Sequence, residues 1–227
     1  MSDLHLLDNI LWNTLAGDHA RHAEGTACAR RYARGFSPII GFVEPESPDF
    51  AALAPFCAAD EHFYCDRWSG PAPAGWRIEH EATMFKMVWD APLPEDDPAP
   101  DAAPLRPEHA EQALALATLM QPGPFGPRTP ELGDYFGYFE DGQLVAMAGE
   151  RFRAGTLREI SGVCTRPEFQ GRGLARRLML KLIRREMLRG ETPFLHVMSG
   201  NQHARRLYRR MGFRDYLETT VRVVSLC

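Results

Sequence analysis

The sequence has almost no lysine, no closely paired cysteines and no long apolar run. Lys86 and Lys181 are the only lysines among 26 basic residues, and the formal net charge is −4. A net negative charge argues against a protein that binds nucleic acid or an anionic membrane across its whole surface. No apolar stretch approaches the roughly 20 residues that span a bilayer, and the N-terminus lacks the layout of a signal peptide. We therefore expect a cytoplasmic protein without nucleic-acid or membrane partners.

The cysteines and histidines show no metal-binding pattern. Five cysteines are an odd number and none belongs to a C-x-x-C pair, which favours reduced thiols over a disulfide framework. Neither His19 with His22 nor the group Cys57, His62 and Cys65 matches a paired zinc spacing, so we expect no bound metal. Hydrophobic residues at 44% and charged residues at 25% are ordinary for a globular protein with a sizeable core.

A segment rich in proline and acidic residues divides the sequence. Residues 91–103 have little to bury, and we interpret them as a semi-extended linker between an α+β region, 1–90, and a second region, 104–227. No sharp chemical motif stands out in the first region. Its hydrophobic spacing predicts helices over Leu4–Ala16 and Asp49–Ala59 and strands over Phe36–Val43 and Glu79–Trp89.

The second region alternates strands and helices more regularly. Asp141-Gly142 suits a tight hairpin turn because this pair tolerates positive φ. Two adjacent rows of apolar residues at i, i+4 spacing predict an amphipathic helix over Leu174–Arg189. The other predicted elements are helices over Pro107–Met120 and Asn201–Met211, and strands over Tyr135–Phe139, Gln143–Phe152, Thr156–Thr165, Pro193–Met198 and Arg214–Leu226. This order predicts an α/β (α+β) fold with a mixed sheet flanked by helices.

The most informative stretch lies where a strand passes into the long helix. Gln170-Gly-Arg-Gly-Leu-Ala175 places Gly171 and Gly173 at this transition. Glycine lets the backbone turn tightly and approach a ligand closely. The first amides of a helix have no intrahelical partner, and the helix dipole adds positive charge there. The stretch therefore predicts a site for a phosphate or pyrophosphate.

A second motif follows in the next predicted helix. It consists of Asn201, Ala204, Leu207, Tyr208, Gly212 and Phe213, with the apolar positions on one helical face. In this order and spacing, the two motifs resemble the GNAT superfamily of N-acetyltransferases over residues 104–227. The first region is similar in layout to the leader of an FR47-like bacterial subgroup. The resemblance implies a splayed central sheet that admits acyl-CoA between two strands.

The resemblance also implies a set of residues that bind the acyl-CoA. Backbone groups of Val163, Cys164 and Thr165 would pair with the pantetheine arm. The pyrophosphate would bind the loop that Gln170 begins, at the amides of Gly171, Arg172, Gly173, Leu174 and Ala175. Arg172 and Arg176 are candidates for phosphate contacts, with a solvated helix face as the alternative. Asn201 is either a contact to the CoA arm or a residue that only caps its helix.

Two side chains are candidates for proton transfer. The resemblance implies that Tyr208 protonates the leaving thiolate; the alternative is a packing tyrosine. Glu159 occupies the strand before the glycine loop, where relatives carry a catalytic glutamate, and alternation puts Glu159, Ser161 and Val163 on one face. It is the candidate base or holder of a water, with Glu150 as the competitor and an ion pair with Arg151 or Arg158 as the alternative role.

The favoured hypothesis is an N-acyltransferase that moves an acetyl or other short acyl group from acyl-CoA to an amine by direct attack. Cys164 lacks a neighbouring base, so we expect a packing thiol and not an acyl-enzyme. The alternative is a non-catalytic acyl-CoA-binding module. The acceptor, a small-molecule or peptide amine, would depend on residues 1–90. One closing strand stands where relatives commonly have two, so either the N-terminal half or a second subunit of a homodimer completes the sheet.

Overall fold

The computed structural model describes residues 3–227. Its helices are α1 (Ile10–Ala16), α2 (Phe50–Leu53), α3 (Ala110–Met120), α4 (Leu174–Leu188) and α5 (Gln202–Met211). The strands are β1 (Ala23–Gly25), β2 (Ala29–Tyr32), β3 (Ile40–Phe42), β4 (Phe63–Asp66), β5 (Trp76–Trp89), β6 (Ala103–Pro104), β7 (Tyr135–Glu140), β8 (Gln143–Ala154), β9 (Leu157–Thr165), β10 (Thr192–Met198) and β11 (Phe213–Leu226). No helix within residues 3–227 is both long and apolar enough to cross a membrane.

A long mixed sheet forms the centre of the protein. Its eight strands follow the order β4-β11-β5-β10-β9-β8-β7-β6, beside a separate three-stranded sheet of β1, β2 and β3. Strand β5 lies between β10 and β11 and pairs antiparallel with both. The N-terminal half therefore completes the sheet within one chain, and the predicted mixed sheet flanked by helices is confirmed.

The sheet splays at its middle. Strands β9 and β10 run parallel and pair from Leu157 with Thr192 to Glu159 with Phe194, and their pairing stops there. On the other edge of β9, Ser161 pairs with Gly149 and Cys164 with Met147, so β9 holds one extra residue beside Gly162, whose φ is 63°. A bulge of this kind interrupts a ladder and redirects the side chains that follow it.

Apolar layers cover both faces of the sheet. On one face, Leu178 and Leu182 of α4 pack with strand residues that include Met87 and Leu195. On the other face, Leu7 and the first residues of α1 pack against Phe152 and Phe194. Alternation along a strand sends neighbouring residues such as Phe194 and Leu195 to opposite faces, so the N-terminal half supplies one of the two layers.

A buried ion pair links the N-terminal half to the sheet. Nζ of Lys86, in β5, lies 2.8 Å from Oδ2 of Asp66 and donates to the Leu7 carbonyl at 2.9 Å. Lys86 is fully buried. Since a buried ammonium needs a partner, these contacts fix the residues before α1 and the end of β4 to the central strand.

Several predicted elements differ in extent from the observed ones. The helix expected over Leu4–Ala16 begins as a 3-10 segment at Asp3–Asn9, and the one over Asp49–Ala59 ends as an α-helix at Leu53 after capping by Asp49. Helix α3 buries Ala113, Leu116 and Ala117, whereas Leu119 is exposed. The turn at Asp141-Gly142 has the expected positive φ values of 49° and 76°. Strands β1, β2, β4 and β6 are short and were not predicted.

The acidic, proline-rich segment packs against α4. Ala99 and Ala102 are buried in the same core as Leu178, and Lys181 bonds to Asp97 at 2.5 Å and to the Ala99 carbonyl at 3.1 Å. Most of residues 91–103 are exposed, as expected, but the segment is docked on α4 through these two alanines and the contacts of Lys181. Small side chains and backbone carbonyls, which composition alone does not reveal as contacts, dock it onto the helix.

Candidate active site

The glycine loop has the backbone of an anion site. Gly171 and Gly173 have φ values of 76° and 75°, and an added Cβ at either position would meet no atom within 4 Å. Backbone conformation, and not lack of space, therefore requires glycine here. The amide of Arg177 is bonded to the Gly173 carbonyl at 3.0 Å. The amides that precede it, at the start of the 15-residue helix α4, therefore have no partner in an earlier turn of the helix. Such amides attract a phosphate.

Some side chains around this loop form hydrogen bonds or ion pairs within the protein, and others are exposed. Gln170 donates through Nε2 to the Thr165 carbonyl at 3.2 Å, which ties the loop to the end of β9. Arg177 is held by the Pro98 carbonyl at 2.9 Å and by Asp101 at 2.6 Å. Arg176 is exposed, as is Arg172, which stacks on Phe169 with its guanidinium 4.7 Å from the ring centre. These two exposed arginines remain candidates for phosphate contacts.

A cavity of about 640 Å³ opens where β9 and β10 separate. On one side it is lined by Val163, Asn201 and Tyr208, and on the other by residues of the N-terminal half such as Ile39 and Tyr64. Glu159 and His196 also line it. The cleft therefore connects the side of the glycine-loop strand with the side built by residues 1–90.

Two predicted residues, the N-cap of α5 and a tyrosine within it, lie on this cleft. Asn201 caps α5, its Oδ1 accepting from the Ala204 amide at 3.1 Å, and it also lines the cavity. Tyr208 is partly buried and packs edge-on against Phe213, with the ring centres 6.1 Å apart. Burial raises the pKa of Tyr208 above its ordinary value, so its phenol is protonated at neutral pH and can donate.

The end of β9 presents its residues to different surroundings. Val163 lines the cavity and packs against the α4 core, whereas Cys164 packs with α3. Burial raises the pKa of the Cys164 thiol to about 12, and its Sγ donates to the Gly162 carbonyl. This environment agrees with the expectation that Cys164 is a packing thiol. Thr165 is buried, and its Oγ1 has no hydrogen-bond partner within the described residues.

The bulge at Gly162 corrects one prediction of orientation. Simple alternation put Glu159 and Val163 on one face of the strand. The extra residue in β9 breaks that alternation, so Val163 packs on the α4 side while Glu159 contacts Arg151 and His196.

Glu159 lies at the centre of a buried charged cluster. Its two carboxylate oxygens bind Arg151 in a bidentate pair with both distances 2.8 Å, and Oε1 lies 2.7 Å from Nδ1 of His196. Burial disfavours the carboxylate, but Arg151 and His196 outweigh it and hold the pKa of Glu159 at about 2. Glu159 is therefore ionised and held by several hydrogen bonds. It lines the cleft and also forms the ion pair with Arg151 that was the alternative to a role as base.

The competing carboxylate belongs to a different cluster. Glu150 binds Arg189 at 2.6 Å and lies 3.8 Å from Arg158, and it is absent from the lining of the cavity. Arg158 also pairs with Glu191. These contacts join α4 to β8 and β9, which is a structural role.

The sequence offered Arg151 and Arg158 equally as partners of Glu159, and the structure selects Arg151. His196 was not among the predicted residues. His196 is a polar residue in an otherwise apolar strand, Pro193-Phe-Leu-His-Val-Met198, which is a weak signal. Its contact with Glu159 depends on the register between β9 and β10, and a single sequence does not contain that register. Among residues 3–227, no three histidine, cysteine or acidic side chains cluster in a way that could hold a metal.

Comparisons with known proteins agree with this geometry. The family model described as FR47-like protein matches residues 135–223. A solved structure of a GNAT-family acetyltransferase from Novosphingobium aromaticivorans is 34% identical, with 98% of this chain and 99% of that chain covered and a TM-score of 0.89. A GCN5-related N-acetyltransferase from Kribbella flavida, 21% identical over 96% of this chain and 94% of that chain, shares the fold at a TM-score of 0.59. No curated protein matches the chain.

The splayed sheet and the glycine loop at the start of α4 define an acyltransferase of the type that the sequence motifs indicated. With the similarity to the N. aromaticivorans structure over 98% of its residues, the chain belongs to the GNAT family of N-acetyltransferases, and its residues 135–223 match the FR47-like model. It is therefore an acyl-CoA-dependent N-acyltransferase, and the predicted family and fold are confirmed.

Proposed function

We propose that the protein transfers an acetyl or other short acyl group from acyl-CoA to an amine by direct attack in the cleft between β9 and β10. The observation that carries this proposal is the continuity of the cleft. It runs from Val163, Asn201 and Tyr208 to Glu159 and onward to residues of the N-terminal half. Such a passage lets donor and acceptor enter from opposite sides and meet, and holding two reactants together supplies much of the rate.

The donor side has groups that fit acyl-CoA. The loop amides from Gly171 to Ala175, which include those of Arg172, Gly173 and Leu174, suit the pyrophosphate, and Gln170 holds the loop in place. Arg172 and Arg176 add charge at the surface. The backbone of Val163, Cys164 and Thr165 follows the splayed edge of β9, where an extended arm would find unpaired groups. Asn201 adds a side-chain contact from α5.

The proton-transfer groups support direct attack. Tyr208 keeps its proton and lines the cleft, so it suits protonation of the departing thiolate. Glu159 lies in the part of the cleft where the amine would lose its proton. Cys164 is unsuited to a covalent intermediate because burial raises its pKa and its side chain packs away from the cleft with α3.

Residues 1–90 shape the acceptor side. This side of the cleft is lined by Leu11, Ile39 and Met84 together with Val221 and Val223 of β11. The carboxylates in the lining already have partners: Asp66 binds Lys86, Glu79 accepts from Ser225, and Glu159 binds Arg151. A polyamine needs several free carboxylates, whereas an amine with an apolar body fits this lining. We therefore propose an acceptor with one primary amine on an apolar body, either a small molecule or the end of a peptide.

The test is CoA release from acetyl-CoA in the presence of primary amines, with 2-phenylethylamine and spermidine as the opposed probes. We expect transfer to 2-phenylethylamine in preference to spermidine. Tyr208→Phe should lower kcat by about 10²-fold or more and leave acetyl-CoA binding by calorimetry unchanged. Tyr216→Phe is the matched control, because the Tyr216 hydroxyl bonds to Asp8 and lies outside the cleft lining. Tight acetyl-CoA binding without transfer to any amine would instead indicate the non-catalytic binding module.

A further inference from the structure

We propose that His196 accepts the proton of the acceptor ammonium, and that Glu159 and Arg151 position its ring for this purpose. This inference rests on the proposed amine acylation. It differs from the simpler assignment of Glu159 as the base, because it separates the group that takes the proton from the group that orients it.

The hydrogen bonds define the protonation of the ring. Glu159 is ionised, and a carboxylate can only accept, so the contact of 2.7 Å is a donation from Nδ1–H of His196. In a neutral imidazole the other nitrogen, Nε2, then carries the lone pair. Nε2 has no hydrogen-bond partner within residues 3–227, and the His196 side chain is only 10% exposed while it lines the cleft. A buried polar atom without a partner is uncommon, and an acceptor amine would satisfy it.

Glu159 is poorly suited to take the proton itself. It is 1% exposed, and each of its oxygens already accepts two hydrogen bonds. Oε1 accepts from Arg151 and His196, and Oε2 accepts from Arg151 and from the Phe152 amide at 3.3 Å. Protonation of this carboxyl would break the pair with Arg151 and leave a buried cation unbalanced.

The surroundings hold the ring in one orientation. Phe152 and Phe194 contact it edge-on, with ring centres 5.9 Å and 5.7 Å away. Lys86 lies directly across from His196 on β5, and Asp66 balances its charge. Arg151 is paired with Glu159 and Lys86 with Asp66, so neither of these cations lies beside the imidazole without a countercharge. The Glu159 carboxylate, 2.7 Å from Nδ1, is placed to stabilise the imidazolium that forms when His196 takes the proton.

The reaction balances with these groups. The ammonium loses one proton to Nε2 of His196, and the freed nitrogen lone pair forms the C–N bond at the thioester carbonyl carbon. The C–S bond breaks and its electron pair stays on sulfur, which takes a proton from Tyr208. The second nitrogen proton returns to the Tyr208 oxygen through water. The products are the amide, the CoA thiol and one proton, which His196 releases to solvent.

The first experiment reads the ring directly. Long-range ¹⁵N–¹H NMR of the full-length, ¹⁵N-histidine-labelled protein at neutral pH gives the tautomer of His196, with His196→Gln as the assignment standard. We expect Nδ1 protonated and Nε2 bare, and a change of this pattern in Glu159→Gln. Observation of Nε2–H, or of an imidazolium, would overturn the proposal whatever the acceptor is.

The second experiment uses two acceptors of similar shape. 2-Phenylethylamine is cationic at neutral pH, whereas O-benzylhydroxylamine is neutral and needs no base before it attacks. We expect His196→Gln to lower kcat for 2-phenylethylamine by about 10²-fold. The loss of kcat for O-benzylhydroxylamine should be several-fold smaller than this, and the KM for acetyl-CoA should not change. Equal losses for both amines would show that His196 acts on structure and would refute the proposal.

A second histidine provides the matched control. Nδ1 of His62 also contacts a glutamate, Glu79, at 2.6 Å, but its side chain is 58% exposed and lies outside the cleft lining. His62→Gln should leave kcat unchanged for both amines. A wild-type protein that acylates no amine contradicts the proposed function, whereas an active wild type with an equally active His196→Gln variant contradicts only this inference.

Discussion

Glu186 gives a stability prediction with a definite dependence on pH. It lies in α4, is fully buried, and neither carboxyl oxygen has a hydrogen-bond partner within the described residues. Burial, aided by the negative charge of Glu150, raises the pKa of Glu186 well above its ordinary value of 4.5. The folded protein therefore keeps a proton on Glu186 at pH values where the unfolded chain has lost it.

Because the folded state holds this extra proton, the stability of the protein should decrease as pH rises. Below pH 4.5 the carboxyl is protonated in both states and costs nothing electrostatically. As pH rises from 4.5 toward the raised pKa of the folded state, the free energy of unfolding decreases by about 1.4 kcal/mol for each pH unit. Glu186→Met removes this proton binding and fits an apolar helix face, so its stability relative to wild type should increase as pH rises above 4.5, by at most about 1.4 kcal/mol for each pH unit.

Urea unfolding at pH 5, 6 and 7 measures this difference for wild type and Glu186→Met. Glu111→Gln is the control because it removes a carboxyl group that is exposed on α3 and not buried in the core. A difference between Glu186→Met and wild type that stays constant with pH would refute the reasoning. It would show that Glu186 titrates alike in the folded and unfolded states.

Two further predictions concern the link between the halves and the donor side. Lys86→Met leaves Asp66 as a buried, unpaired carboxylate, so it should lower the free energy of unfolding by about 3–5 kcal/mol; urea unfolding measures this, and a loss below about 1 kcal/mol would contradict a buried pair. Arg176→Ala should weaken CoA binding several-fold in low salt and less in high salt, because an exposed phosphate contact is screened. Arg177→Ala, which removes contacts to Pro98 and Asp101, should instead reduce stability with little effect on CoA affinity; calorimetry would contradict this if both variants bound CoA equally.

The elements that the sequence predicts best are those specified locally. Helix α4 and the positive-φ glycines before it follow from apolar spacing and from the backbone freedom of Gly171 and Gly173. The position of β5 does not follow, because its partners β10 and β11 are more than 100 residues away in sequence. The contact of Glu159 with His196 is equally hidden, since it depends on the pairing of Glu159 with Phe194 across parallel strands.

The insertion of β5 explains why one cleft can serve two reactants with separate requirements. Residues after the proline-rich segment build the glycine loop and the donor side, while Met84 of β5 brings the N-terminal half into the cleft wall. Two residues further along the same strand, on the face that Met84 shares by alternation, Lys86 ties down Asp66 and Leu7. The acceptor wall is therefore built on the central sheet itself, and its position relative to Glu159 and His196 is fixed by strand pairing. Substitutions in Ile39 or Tyr64 can then alter the acceptor without moving the donor loop, because these side chains pack in the layer of Leu7, whereas Leu174 packs in the layer of α4.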